Sequence, residues 1–181
     1  MLAKQKGMGL VEVLVALIIL AVAVLGYSIL QVRAIEASIE ATKRVQGINL
    51  ARDLAEKIRA NQQSLSKNIE VERVDKTGKE KLNSYEAAFR TSSGKPYENC
   101  FKENKCDYQN LALEDVRQIK AKASETGMNI AFEPCNGLIR ERYCIYVAWD
   151  ETNPKNGIDK NDCTKDGSYQ SNSKCVVMEA Y

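Results

Sequence analysis

The chain has 181 residues, with 26 Lys+Arg against 24 Asp+Glu and no histidine. The missing imidazole excludes Ser-His-Asp and Cys-His catalysis and every zinc site that needs a histidine ligand. Without Lys4 and Lys6 the basic and acidic residues number 24 each, a balance that argues against a strongly electrostatic nucleic-acid binder.

The first thirty residues carry the most information. A short leader with Lys4 and Lys6 ends in Gly7, and the apolar run behind it is broken once, by Glu12. From Val13 to Leu30 there are 18 residues without a charge, near the ~20 that cross a bilayer as a helix. Basic residues ahead of the run keep residues 1–7 in the cytoplasm and send the rest across. A plain membrane anchor reads the same way. A secretory signal peptide fits less well, because no small-residue cleavage site follows Leu30 and Gln31 to Glu36 keep helical periodicity. An acidic side chain at a bilayer centre costs roughly 3 kcal/mol, so Glu12 needs a compensating partner.

The segment Lys6-Gly7-Met8-Gly9-Leu10-Val11-Glu12 resembles the class III leader of type IV pilins and pseudopilins. The resemblance implies a prepilin peptidase cut between Gly7 and Met8 and N-methylation of Met8. It also implies that Glu12 is an assembly contact, pairing with a neighbouring subunit's terminal amine inside a filament, which compensates its burial. Met8 and Gly9 stand where the family usually has Phe and then Thr or Ser. Ile29 stands where major pilins carry a kinking proline. Both departures point away from a major pilin.

The apolar run passes into an amphipathic stretch in which Val32, Ile35, Ile39, Thr42 and Val45, then Ala51, Leu54, Ala55 and Ile58, follow 3–4 spacing. This predicts one helix from Met8 to about Asn61, roughly 80 Å long at 1.5 Å per residue. Gly47 is its expected soft point, at about 1 kcal/mol relative to alanine. Residues 62–83 are polar and highly charged and read as an exposed connection with brief strand character. A second helix is expected from Leu111 to Thr126, with Asn110 as N-cap, Glu114 and Asp115 in its first turn and Gly127 as its stop. Its packing face is read as Leu113, Val116, Ile119 and Ala123. Met128 to Phe132 reads as a strand, Pro134-Cys135-Asn136-Gly137 as a turn, and Tyr143 to Trp149 as an alternating strand with Ile145, Val147 and Trp149 on one face. The last strand is expected from Lys174 to Tyr181.

Six cysteines, Cys100, Cys106, Cys135, Cys144, Cys163 and Cys175, all follow the apolar run and contain no Cys-x-x-Cys pair. An even number beyond a membrane segment reads as disulfides in an oxidising compartment. Six cysteines allow fifteen pairings; the expected set is local, Cys100–Cys106, Cys135–Cys144 and Cys163–Cys175. The oxygen-rich stretch Asp150 to Cys163 resembles a calcium loop in spacing, but it lacks the Asp-x-[Asp/Asn]-x-[Asp/Asn]-Gly pattern and Lys155 and Lys160 intrude. A disulfide-closed surface loop is the default reading, calcium is left open there, and no metal ligand or cofactor is assigned.

Two further segments narrow the resemblance. Asn49 to Asn61, ending Arg59-Ala60-Asn61, and Tyr143 to Asp150, ending Val147-Ala148-Trp149-Asp150, are similar to the minor pilin family of the type IV pilus modification protein PilV. Arg59 and Asn61 read either as surface contacts or as a helix end satisfied by Asn61.

The expected fold is α+β and pilin-like: a long N-terminal helix, membrane-spanning in its first half, packed on a small antiparallel sheet with a disulfide-rich C-terminal region. The expected divisions are a leader at 1–7, a membrane or filament-core half-helix at 8–30, an amphipathic half-helix at 31–61 and a periplasmic domain at 62–181. The resemblance implies a non-catalytic minor pilin of the bacterial inner membrane that primes pilus assembly in a tip complex and supports twitching motility. Its implied partners are other minor pilins, the major pilin, prepilin peptidase, the assembly platform and a large tip adhesin. A type II secretion pseudopilin shares the leader, and a tip adhesin or DNA-uptake module would work through the loops after Trp149.

Overall fold

A computed structural model describes residues 9–72, 78–91, 100, 106–135 and 142–180. The chain divides into two compact units, Met1–Thr42 and Lys43–Tyr181. Helix α1, Leu10–Ala60, begins in the first and ends in the second.

In the first unit every described residue from Gly9 to Ile39 is exposed. An 18-residue window of α1 has a mean hydropathy of 2.9 and none of it is buried. By length and composition it can cross a membrane. Between Leu10 and Leu30 the polar side chains are Glu12, Tyr27 and Ser28. Ser28 Oγ donates to the carbonyl of Val24 at 2.9 Å, so that hydroxyl is satisfied inside its own helix, as an apolar surrounding requires.

The second unit is built on the antiparallel sheet β3-β4-β8: Met128–Pro134, Tyr143–Trp149 and Cys175–Ala180. The central strand β4 keeps its alternation but buries both faces. Ile145, Val147 and Trp149 enter a core with Leu50, Ala51, Leu54 and Ile58 of α1. Cys144, Tyr146 and Ala148 enter a second core with Cys163 and Cys175. Two layers therefore cover this sheet, helices on one face and a disulfide-rich strand cluster on the other. The cluster is β5-β6-β7, at Asn153–Asn156, Asp162–Lys165 and Ser168–Tyr169, with β5 and β6 parallel.

The helical stripe of the second unit starts later than its periodicity suggests. Val45 is exposed, and the buried positions are Gly47, Leu50, Ala51, Leu54 and Ile58. Gly47 is a packing position rather than a soft point. A Cβ there would lie 3.1 Å from Val176 Cγ2 and 3.4 Å from Trp149 Cζ3, so its lack of a side chain lets helix and sheet approach closely.

The charged stretch after α1 is more ordered than its composition implies. It holds a short helix α2, Gln63–Ser66, and an antiparallel pair, β1 Asn68–Glu72 with β2 Lys79–Asn83. Few apolar residues mark it because Leu82 is buried and Ile69 only half-buried. Helix α3, Ser84–Thr91, follows, and periodicity gave no sign of so short an element. Its start is a reciprocal cap: Asn83 Oδ1 accepts the N–H of Glu86 at 2.9 Å, and Glu86 Oε2 accepts the N–H of Asn83 at 3.3 Å.

Helix α4, Tyr108–Glu125, starts three residues before its expected position. Asp107 is the N-cap, accepting the N–H of Asn110 at 2.7 Å, so Asn110 is inside the helix. The shift moves Glu114 and Asp115 out of the first turn and replaces Leu113, which is exposed, by Ala112 on the buried face. The stop is at Gly127, whose φ of 68° is left-handed. Pro134 closes β3; Asn136 and Gly137 of the expected turn, and Tyr181 of the last strand, lie outside the described residues.

Candidate assembly site

The residues singled out by sequence fall into three groups. Gly7 and Met8 lie outside the described residues. Glu12 lies in the first turn of α1, where its charge complements the helix N-terminus. Its own N–H donates to the carbonyl of Gly9 at 2.9 Å. Its carboxylate makes no hydrogen bond or ion pair among the described residues, and it is surrounded in sequence by exposed Leu10, Val11, Val13 and Leu14. An unsatisfied carboxylate on an apolar helix is tolerable in water and costly in lipid.

The cysteines form three bridges, Cys100–Cys106, Cys135–Cys144 and Cys163–Cys175. The last is almost wholly buried and ties β6 to the start of β8. Beside it, Asp162 is 1% exposed. Its carboxylate accepts Asn153 Nδ2 at 3.0 Å and the N–H of Asp159 at 3.1 Å, with Lys155 Nζ at 3.5 Å. Protein donors thus occupy the Asp162 carboxylate, one of the acids in the stretch that suggested calcium. No cluster of three or more His, Cys, Asp or Glu is placed to hold a metal ion among the described residues.

Asn61 is buried, so it is not a surface contact. Its Nδ2 donates to the carbonyl of Tyr108 at 2.9 Å, and Ser64 Oγ donates to the same oxygen at 2.7 Å. Together they pin the end of α1 to the start of α4. Arg59 is exposed.

Sequence reasoning missed a second fastening one turn earlier. Lys57 Nζ lies 3.0 Å from Asp115 Oδ1, and the hydroxyl of Tyr85, donating at 2.8 Å, bonds the other carboxylate oxygen. Burial, then the negative charge of Asp115, pushes the Tyr85 hydroxyl far above its ordinary pKa, so it stays protonated as a donor. Only the i, i+1 pair Glu114-Asp115 on an otherwise apolar stripe hinted at it. At the first turn of the second unit, Asp150 bonds Lys174 Nζ at 2.7 Å and Lys43 Nζ at 2.6 Å. Those two cations, Lys174 first, hold its carboxyl below the usual range.

The described residues thus hold an apolar helical run whose one acid has no partner among them, and a disulfide-bridged unit that includes the last turns of α1. Residues 2–28 match the family model of the prokaryotic N-terminal methylation motif, and residues 29–117 match the model described as type IV pilin Tt1218. The chain is thus similar to type IV pilins over residues 29–117 and to prepilin leaders over residues 2–28. The fold is α+β and pilin-like. Such a leader and apolar helix indicate membrane anchoring, and the leader implies a processing peptidase and other pilus components as partners. The pilin family is structural rather than enzymatic. No curated protein and no solved structure matches the chain.

Proposed function

We propose that this chain is a minor pilin of the PilV type that takes part in priming pilus assembly within a tip-located minor pilin complex. The supporting observation is Glu12, a carboxylate without a partner among the described residues, on an apolar helix inside the stretch that matches the methylation motif. In this reading prepilin peptidase cuts between Gly7 and Met8 and methylates Met8. The precursor crosses the inner membrane once with residues 62–181 in the periplasm. Residues 8–30 then exchange lipid for neighbouring helices, residues 31–61 carry the domain, and Glu12 pairs with a neighbour's terminal amine. Other minor pilins, the major pilin, the assembly platform and a tip adhesin are the proposed partners. Departure from the proline at Ile29 favours a minor over a major subunit.

A deletion strain tests the reading. It should lose surface pili and twitching, and the wild-type gene should restore both. Glu12→Ala should insert in the membrane yet fail to restore piliation, while Gly7→Ala should leave a slower-migrating precursor on a gel. Intact pili with lost protein secretion would assign the chain to a type II secretion system instead.

A further inference from the structure

The sequence holds two Asn-Gly pairs, and one of them, Asn156-Gly157 at the end of β5, lies within the described residues. Such a pair is chemically labile, because a glycine without a Cβ lets its backbone nitrogen approach the asparagine side chain. In the reaction, Gly157 N bonds to Asn156 Cγ, and the side-chain nitrogen leaves as ammonia with the proton of the Gly157 amide. Water then opens the succinimide ring to aspartate or isoaspartate. The isoaspartate product routes the backbone through the side chain, so the change cannot be reversed by refolding.

In the folded chain both reacting groups are engaged with β6 and the turn behind it. The N–H of Gly157 donates to the carbonyl of Thr164 at 2.9 Å, so the attacking nitrogen is a rung of the β5-β6 pairing. Asn156 Oδ1 accepts Thr164 Oγ1 at 2.9 Å and the N–H of Gly167 at 3.1 Å. The backbone N–H of Asn156 faces the Glu133 carboxylate of β3. Asp162 Oδ2 packs so close to Gly157 that no Cβ would fit there. Attack therefore requires the Gly157 bond to break and the Asn156 side chain to leave two donors, which means separating β5 from β6. The two strands have four residues each, too few to hold together alone. Cys163 lies in β6 between Asp162 and Thr164, and its buried bridge to Cys175 ties that strand to β8.

We propose that Asn156 is a deamidation site gated by the Cys163–Cys175 bridge. It is closed while the bridge holds β6 against β8, and it converts once β6 is free to leave β5. The rate in the folded chain is then the intrinsic rate of the pair multiplied by the fraction of time that the β5-β6 pairing is open. The bridge keeps that fraction small, because it leaves β6 little freedom to move away on its own. A subunit that has once lost this bridge therefore carries a permanent chemical mark at Asn156. The site is separate from α1 and does not depend on the pilus reading.

The test holds full-length protein in detergent and mildly alkaline buffer and follows aspartate plus isoaspartate at Asn156 by peptide mapping. The same chain unfolded in urea, with its bridges intact, gives the unprotected rate. The folded chain should convert at least about tenfold more slowly; equal rates overturn the proposal. Cys163→Ala combined with Cys175→Ala then removes the bridge. Trp149 is fully buried and is the chain's single tryptophan, so an unchanged emission spectrum shows that the helix-facing core of this variant is still folded. Conversion at Asn156 should rise about fivefold or more over the parent. A folded variant that converts at the parent's rate overturns the gating by the bridge. If the variant does not fold, the comparison of folded and unfolded parent decides the matter.

Discussion

Gly47 offers the sharpest test of how α1 meets the sheet. A leucine there gains helix propensity, at most about 1 kcal/mol relative to glycine. Against that, even its Cβ would sit 3.1 Å from Val176 Cγ2, inside the roughly 3.5–4.0 Å optimum for carbon contacts. Its three further carbons meet Trp149 and Val147, both fully buried and without room to swing outward. Overpacking of this kind costs typically about 1–3 kcal/mol, and a site closed on all sides belongs at the upper end. The net loss should be about 2 kcal/mol for Gly47→Leu. For Gly47→Ala the two terms nearly cancel. Trp149 is the chain's single tryptophan, so its fluorescence in urea reports this contact directly in the full-length protein in detergent. With a urea slope of about 2 kcal/mol/M, the leucine variant should unfold about 1 M earlier. Gln46→Leu, one position away on the exposed face, should shift the midpoint by less than about 0.5 kcal/mol equivalent. An unchanged midpoint for Gly47→Leu would show that α1 does not press on Val176 and Trp149, and the argument from close approach would fail.

The remaining predictions concern the fastenings of the same unit. Tyr85→Phe removes the hydroxyl that bonds Asp115 and should cost about 1.5–3 kcal/mol in urea unfolding, because a buried charged acceptor loses its donor; no loss would mean that Lys57 alone satisfies Asp115. Replacing Cys163 and Cys175 together by serine opens a loop of 12-residue separation and should lower stability by about 3 kcal/mol on the chain-entropy account. An unchanged melting temperature would contradict this. Burial raises the carboxyl pKa of both Glu86 and Glu133. A raised carboxyl makes the folded state bind protons that the unfolded state has released, so these groups make stability fall as pH rises from the ordinary carboxylate range through their raised values. Paired Glu86→Gln and Glu133→Gln variants should flatten that part of the pH profile, measured as urea midpoints between about pH 4 and 7. A profile as steep as the parent's would argue against burial as the cause.

Much of the chain was legible because its signals are local. The apolar run and the lone Glu12 within it need no tertiary information, since lipid solubility and helix length follow from composition. Strand β4 was also readable, because its alternation survives even with both faces buried. Local signals failed where two elements share one requirement. The Asn83-Ser84-Tyr85-Glu86 cap was written in the sequence as N-x-x-E, yet eight residues of helix are too few for a periodic stripe to show. The start of α4 was misplaced because Asn110 and Asp107 are both acceptable caps, and packing of Ala112 in place of Leu113 chose between them.

The sequence by itself determined the coarse plan: an apolar helix with one acid near its start, followed by a disulfide-bridged α+β domain. Those features depend on which residues are adjacent along the chain. Only the tertiary structure decided that Gly47 is a contact rather than a weak point and that Asn61 and Lys57 fasten α1 to α4. Each of these depends on atoms brought together from residues tens of positions apart. Periodicity fixes which face of an element is buried, but not what it is buried against.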